Sequence, residues 1–177
     1  MALLGVAIAI PEPFGAELRA ARLRFGDPLA SAIPTHVTLL PPTEVDQGEL
    51  AKVDLHLGDI AAALAPFEMQ LAGTGSFRPI SPVVFAQVAV GLVECKLIES
   101  AVRSGPLTRE LAFPYSPHVT IAHDLPEPKL DEAASELAHY EAHFEVASFS
   151  RYRHGGDGVW RAERTYAFGR TGSISAR

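Results

Sequence analysis

Two short runs in this 177-residue chain carry residues able to move protons: Pro34-Thr35-His36-Val37-Thr38-Leu39 and Pro117-His118-Val119-Thr120-Ile121. Successive side chains of a β-strand point to opposite faces, so each His shares a face with the Thr two places on, and the Val between them faces away. Each run reads as a strand with an apolar back and a front bearing an imidazole and a hydroxyl. Near neutrality one imidazole of a pair can accept a proton while the other donates one. Hydroxyls can hydrogen-bond the non-bridging oxygens of a phosphate, where negative charge accumulates in the transition state. Side by side, the two strands would build a phosphodiester site from His36, Thr38, His118 and Thr120.

With seven His and eight Thr in the chain, a Thr two places after a His is expected about 0.3 times by composition. Taken singly, each His is a strand residue satisfied in a polar core; the duplication of motif and context outweighs that explanation. His56, His139 and His143 fall on helices or their ends and read as surface residues. His123-Asp124 could be an oriented base or a metal ligand, yet no His-Glu-x-x-His spacing supports zinc. The carboxylates are scattered, without a paired pattern. Neither a metal nor a cofactor is implied.

Composition bounds the partners. The chain is 47% hydrophobic and 20% charged, which suits one domain or two tightly packed lobes. A formal charge of −6 argues against long duplex nucleic acid, whose binding needs a basic surface. Any nucleic-acid substrate should be small, or a chain end. Lone Cys95 excludes a disulfide framework and a Cys-based zinc site, reads as a small buried hydrophobe on a helix, and fits a reducing cytoplasm. The apolar Met1–Ile10 run lacks a basic flank and stops at Pro11-Glu12-Pro13, too short for a membrane span. The expectation is a cytoplasmic monomer with no membrane partner.

The elements that must position the two motifs follow from periodicity and breakers. Strands are predicted at Leu3–Ile10, at the first His-Val-Thr run closed by Pro41-Pro42, at Phe67–Phe77, at Val83–Val90, at the second run, and at Phe144–Arg153. A Gly155–Gly158 turn leads into a last strand, Val159–Phe168. Helices are predicted over Phe14–Phe25, Asp46–Leu64, Leu92–Ser104 and Leu130–Ala142. Equivalent positions recur at similar offsets, His36 to His118 by 82, Leu3 to Val83 by 80, Phe67 to Phe144 by 77. A duplicated β-α-β-α-β unit follows. The fold class expected is α+β: two lobes with pseudo-two-fold symmetry, largely antiparallel sheets lining a central cleft, and helices outside. The single domain should cover residues 1–170, in lobes of about 1–82 and 83–170 with strand exchange allowed, followed by a flexible tail at 171–177.

The two His-x-Thr motifs, each followed by an aliphatic residue, resemble those of the 2H phosphoesterase superfamily, in its 2′-5′ RNA ligase-like, 2′,3′-cyclic phosphodiesterase branch. Leu71, Gly73, Gly75 and Phe77 are similar to that family's strand after the first motif, and Phe149–Tyr152, Gly158-Val159-Trp160 and Ala167-Phe168 to its last hairpin. The resemblance implies that His36 donates a proton to the leaving oxygen and His118 accepts one from the nucleophile, opening a 2′,3′-cyclic phosphate to a 2′-phosphate, without metal. Run in reverse, such a site would ligate. Relatives often carry Arg three places after the second Thr, where this chain has His123, which holds a phosphate oxygen only when protonated. Tyr115 is a candidate to stack a base, and Arg78, Arg151, Arg153 and His123 are candidates to hold a phosphate. Two alternatives stand beside this expectation: a module that binds a nucleotide or RNA end in the same cleft without turnover, and a metal-dependent phosphohydrolase with His ligands.

Overall fold

The computed structural model of the chain describes residues 1–170; the tail expected at 171–177 lies outside the described residues. Eight strands form two four-stranded antiparallel sheets, with four α-helices among the described residues. The strands are β1 (Ala2–Ala9), β2 (His36–Val45), β3 (Phe67–Ser76), β4 (Val83–Val90), β5 (His118–His123), β6 (Glu141–Val146), β7 (Ser148–His154) and β8 (Trp160–Ala167). The helices are α1 (Phe14–Arg24), α2 (Leu50–Ala63), α3 (Leu92–Val102) and α4 (Glu127–Glu136). The first sheet runs β2-β1-β7-β8 and the second β5-β4-β3-β6. This is the expected two-lobed α+β architecture.

The sheets do not follow the two halves of the chain. β3, from the first half, pairs with β4, while β7 and β8, from the second, join β1. One residue, Ala147, separates β6 in one sheet from β7 in the other, so the predicted strand Phe144–Arg153 is two strands. The equivalence of Phe144 with Phe67 gives way for the same reason: β6 pairs directly with β3, Met69 standing opposite Phe144. The counterpart of β3 is β7, which holds the same third place in its sheet, and Phe149 follows Phe67 by the 82 residues that separate His118 from His36.

Two boundaries differ from expectation. β2 continues through Pro41 and Pro42 to Val45, because it is an edge strand, where a residue without an N–H leaves no ladder partner unmatched. α4 begins at Glu127, with Pro128 tolerated in its first turn, and stops at Glu136 because Glu141 and Ala142 are claimed by β3, opposite Ala72 and Leu71. At the C-terminal end, Gly169 and Arg170 donate backbone hydrogen bonds to Ala61 and Leu64 at the end of α2, so the chain is tethered through Arg170.

A single apolar core runs through both sheets, including Leu4, Val6 and Ile8 of β1, Leu39 and Leu40 of β2, and Val119, Ile121 and Ala122 of β5. The helices bind the lobes crosswise: α1 packs on β5 and α3 on β2. Gly75 faces Phe85 across the β3–β4 pairing, and a Cβ there would lie 2.6 Å from the Phe85 ring. Gly75→Ala should therefore displace Phe85 and cost about 1–3 kcal/mol, read as a lowered denaturant midpoint at unchanged slope.

Candidate active site

Both motif strands are edge strands, and their sheets are arranged so that β2 and β5 lie against each other. In the ladders His36 stands opposite Ala9 and Thr38 opposite Ala7, while His118 stands opposite Gln87 and Thr120 opposite Phe85. The same register shift interrupts both strands after the Thr, between Val6 and Ala7 in one sheet and between Val84 and Phe85 in the other. Such a bulge adds one unpaired residue and shifts the alternation of faces. Leu39-Leu40 and Ile121-Ala122 are accordingly buried as consecutive pairs. Beyond the second bulge, His123 pairs with Val83 and so returns to the face of His118 and Thr120. Its Nε2 lies 3.3 Å from the Asp124 carboxylate.

The histidines are held alike. His36 Nδ1 is 2.5 Å from the Pro34 carbonyl oxygen and His118 Nδ1 is 2.8 Å from that of Ser116. A carbonyl can only accept, so Nδ1 carries the proton in each ring and the neutral Nε2 is left as a base. The Thr38 hydroxyl lies 3.1 Å from His36 Nε2. Phe77 and Phe85 crowd His118, their ring centroids 4.8 and 5.3 Å from it. Burial lowers the pKa of both histidines from the usual 6.5; for His36 the buried Arg22 guanidinium and His118 push the same way, while the bonds to Pro34 and Ser116 act in opposition.

The loop before β5 ties the two lobes together. The Tyr115 hydroxyl donates to the Thr38 carbonyl at 2.8 Å, and Arg109 Nη1 donates to the Pro42 carbonyl at 2.9 Å and to the Thr43 hydroxyl at 2.8 Å. Tyr115 is packed against the core and its hydroxyl reaches the first motif strand at Thr38. Arg151 and Arg153 stand opposite Val6 and Leu4, on the apolar side of β1 rather than the side of Ala7 and Ala9. Arg151 bonds Asp54 at 2.9 Å and also Glu163, and Arg153 bonds Glu163 at 2.5 Å. Arg78 is paired with Glu127 at 2.6 Å and Asp131 at 3.0 Å. All three arginines are paired with carboxylates in this structure. Sequence reasoning passed over Arg109 and Phe85, took Phe77 only as part of a strand, and gave no sign of a cavity of about 140 Å³ beside His36 and Thr38, lined in part by Gly5, Tyr152 and Trp160. Only the facing of Gly75 and Phe85 across a hairpin could have signalled the His118 surround.

Among the described residues no group of three His, Cys, Asp or Glu is placed to hold a metal ion, and no helix is long and apolar enough to cross a membrane. Two antiparallel lobes that each bring a His-x-Thr edge strand to a shared seam define a 2H phosphoesterase fold. The chain belongs to the 2′-5′ RNA ligase superfamily, whose family model matches residues 10–158. A Geobacillus kaustophilus protein provisionally named a phosphoesterase is 31% identical over 139 residues, covering 77% of this chain and 80% of that protein. In fold, the chain is similar to the Thermus thermophilus protein TT0787 (22% identity, TM-score 0.63, covering 94% of this chain and 98% of the other). It is likewise similar to E. coli LigT solved with 3′-AMP (20% identity, TM-score 0.64, 96% and 99%).

Removing Arg151 leaves Asp54 and Glu163 short of a partner in a half-buried network. Arg151→Ala should cost about 3 kcal/mol, measured by chemical denaturation. Because both motif histidines fold as weaker bases than 6.5, the unfolded chain takes up protons first as pH falls. Stability should be full above pH 6.5 and decline as pH drops through the lowered native values, a slope that a His36→Gln, His118→Gln variant reduces in thermal melts.

Proposed function

We propose that the protein is a metal-independent phosphodiesterase that opens 2′,3′-cyclic phosphates of small nucleotides or RNA ends to 2′-phosphates, with 2′-5′ ligation as the reverse of the same step. The observation that carries this reading is the pairing of two equivalent His-x-Thr edge strands, each His fixed through Nδ1 to the carbonyl two residues back. The family supports it, and so do the ligands named for the fold neighbour LigT, which was solved with NADP+, 3′-AMP and ATP.

In the proposed step, water attacks phosphorus and gives its proton to His118 Nε2. The P–O3′ bond breaks, and O3′ takes a proton from His36 Nε2. The 2′-phosphate leaves with His118 protonated and His36 neutral, and exchange with solvent restores the pair. The hydroxyls of Thr38 and Thr120 donate to the non-bridging oxygens. Both histidines are weak bases in the free protein, and the phosphate's own charge favours the imidazolium that must donate.

The test is a product assay on 2′,3′-cyclic mononucleotides with and without EDTA. The expected result is a 2′-phosphate product, indifference to EDTA, and kcat/KM that is bell-shaped in pH with its maximum below 6.5. A His36→Ala, His118→Ala double variant should lose at least about 10³-fold; full activity in that variant would sink the proposal. Nucleotide binding with no turnover would instead point to a binding module, and loss of turnover in EDTA to a metal-dependent hydrolase.

A further inference from the structure

The edge strand that carries the first motif has backbone groups to spare. Ile10 donates its N–H to the Thr35 carbonyl, and the ladder continues through the pairs His36–Ala9, Val37–Ile8 and Thr38–Ala7. Hydrogen-bonded and non-bonded pairs alternate along an antiparallel ladder, so the backbone groups of His36 and Thr38 turn away from β1. One of them is taken up from the other lobe: the Thr38 carbonyl accepts the Tyr115 hydroxyl at 2.8 Å. The bond falls on the residue whose own hydroxyl lies 3.1 Å from His36 Nε2.

Tyr115 sits in a segment that is stiff by composition. Pro114 and Pro117 fix two of its φ angles and hold the residues before them, Phe113 and Ser116, to extended backbone. The Ser116 carbonyl holds His118 Nδ1, so neighbouring residues of one short run fix the second imidazole and grip the first motif strand. The Tyr115 ring packs on the core, and burial, with Cys95 and Glu99 of α3 nearby, pushes the phenol pKa far above its usual 10. The hydroxyl therefore stays a donor throughout the working pH range. The grip is not reciprocated, because Ile33, which like Tyr115 stands three residues before its motif His, has no hydroxyl. The other side-chain hold on β2, by Arg109 at Thr43, is separated from Thr38 by two register shifts, Val6/Ala7 and Leu4/Val6. Each bends the strand, so Thr38 depends on Tyr115 for its hold.

We infer that Tyr115 is a positioning residue of the phosphodiester step: through the Thr38 carbonyl it sets how far His36 and the Thr38 hydroxyl stand from His118. The inference rests on the phosphodiesterase reading and deepens it. The two imidazoles must flank one phosphorus centre, and a misplacement of about 1 Å costs on the order of 10²-fold in rate. A hydroxyl bonded across the seam limits that play without touching the substrate.

Tyr115→Phe removes the hydroxyl and keeps the packed ring. Assayed on a 2′,3′-cyclic mononucleotide well below its melting temperature, the variant should lose about ten-fold or more in kcat, with KM within about two-fold of the parent. A second readout needs no turnover: the titration of His36 and His118, followed by NMR of their ring protons. Loosening the seam admits water to His36 and moves it away from His118, so its lowered pKa should rise toward 6.5 in Tyr115→Phe. His118, walled by Phe77 and Phe85 of its own lobe, should move less. A hydroxyl with a structural role alone would lower the melting temperature and leave kcat and the His36 titration unchanged. That result overturns the inference, as does a loss confined to KM. If the parent protein turns over no cyclic phosphate, the phosphodiesterase reading fails, and the His36 titration still decides whether Tyr115 sets the pair.

Discussion

An edge strand offers one row of unpaired backbone groups and is usually shielded or shortened. Here both motif strands are edges, and they are turned toward each other. The seam between them is where imidazoles from two sheets can work on one group, and it is held by contacts that cross it: Tyr115 to Thr38, Arg109 to Pro42 and Thr43, α1 on β5, α3 on β2. None of these contacts uses the ring nitrogens that would handle a substrate. Strand exchange ties the two halves of the chain together, because each sheet contains strands from both and the halves cannot separate without breaking a ladder.

Electrostatics at the seam is spare. The chain is acidic overall, and the arginines nearest the sheets are taken up elsewhere, Arg22 by Asp27, Arg151 by Asp54 and Glu163, Arg78 by Glu127 and Asp131. Under the proposed function, positive charge at a bound phosphate would come from the histidines themselves, and burial makes that charge costly until an anion arrives. A site of this kind is responsive to its ligand: the anion that needs a proton donor is also what favours the protonated form.

The departures from simple repeat are as instructive as the repeat. Pro41 and Pro42 read as a strand end because proline cannot donate to a ladder, yet on the outer side of an edge strand no donation is required. Leu137–Ala142 has helix-compatible residues, and pairing with β3 overrides that preference. Phe144–Arg153 reads as one strand in sequence and is two strands in space, since the single residue Ala147 carries the chain from sheet to sheet.

By itself the sequence determined the chemistry-bearing strands, their two-residue spacing and their recurrence after 82 residues, because alternation along a strand is a local property of the backbone. It also determined the two-lobed α+β class, through the order in which elements recur. Only tertiary structure decided which strand joins which sheet, because pairing partners are chosen by nonlocal burial that leaves no local mark. The bulges after Thr38 and Thr120 were settled there too. Strict alternation would have put His123 opposite His118, and one extra residue in the ladder brings them to the same face. The commitment of Arg78, Arg151 and Arg153 to carboxylates 49, 97 and 10 residues away in sequence belongs to that same category, since an ion pair depends on where folded elements meet and not on what flanks the residue.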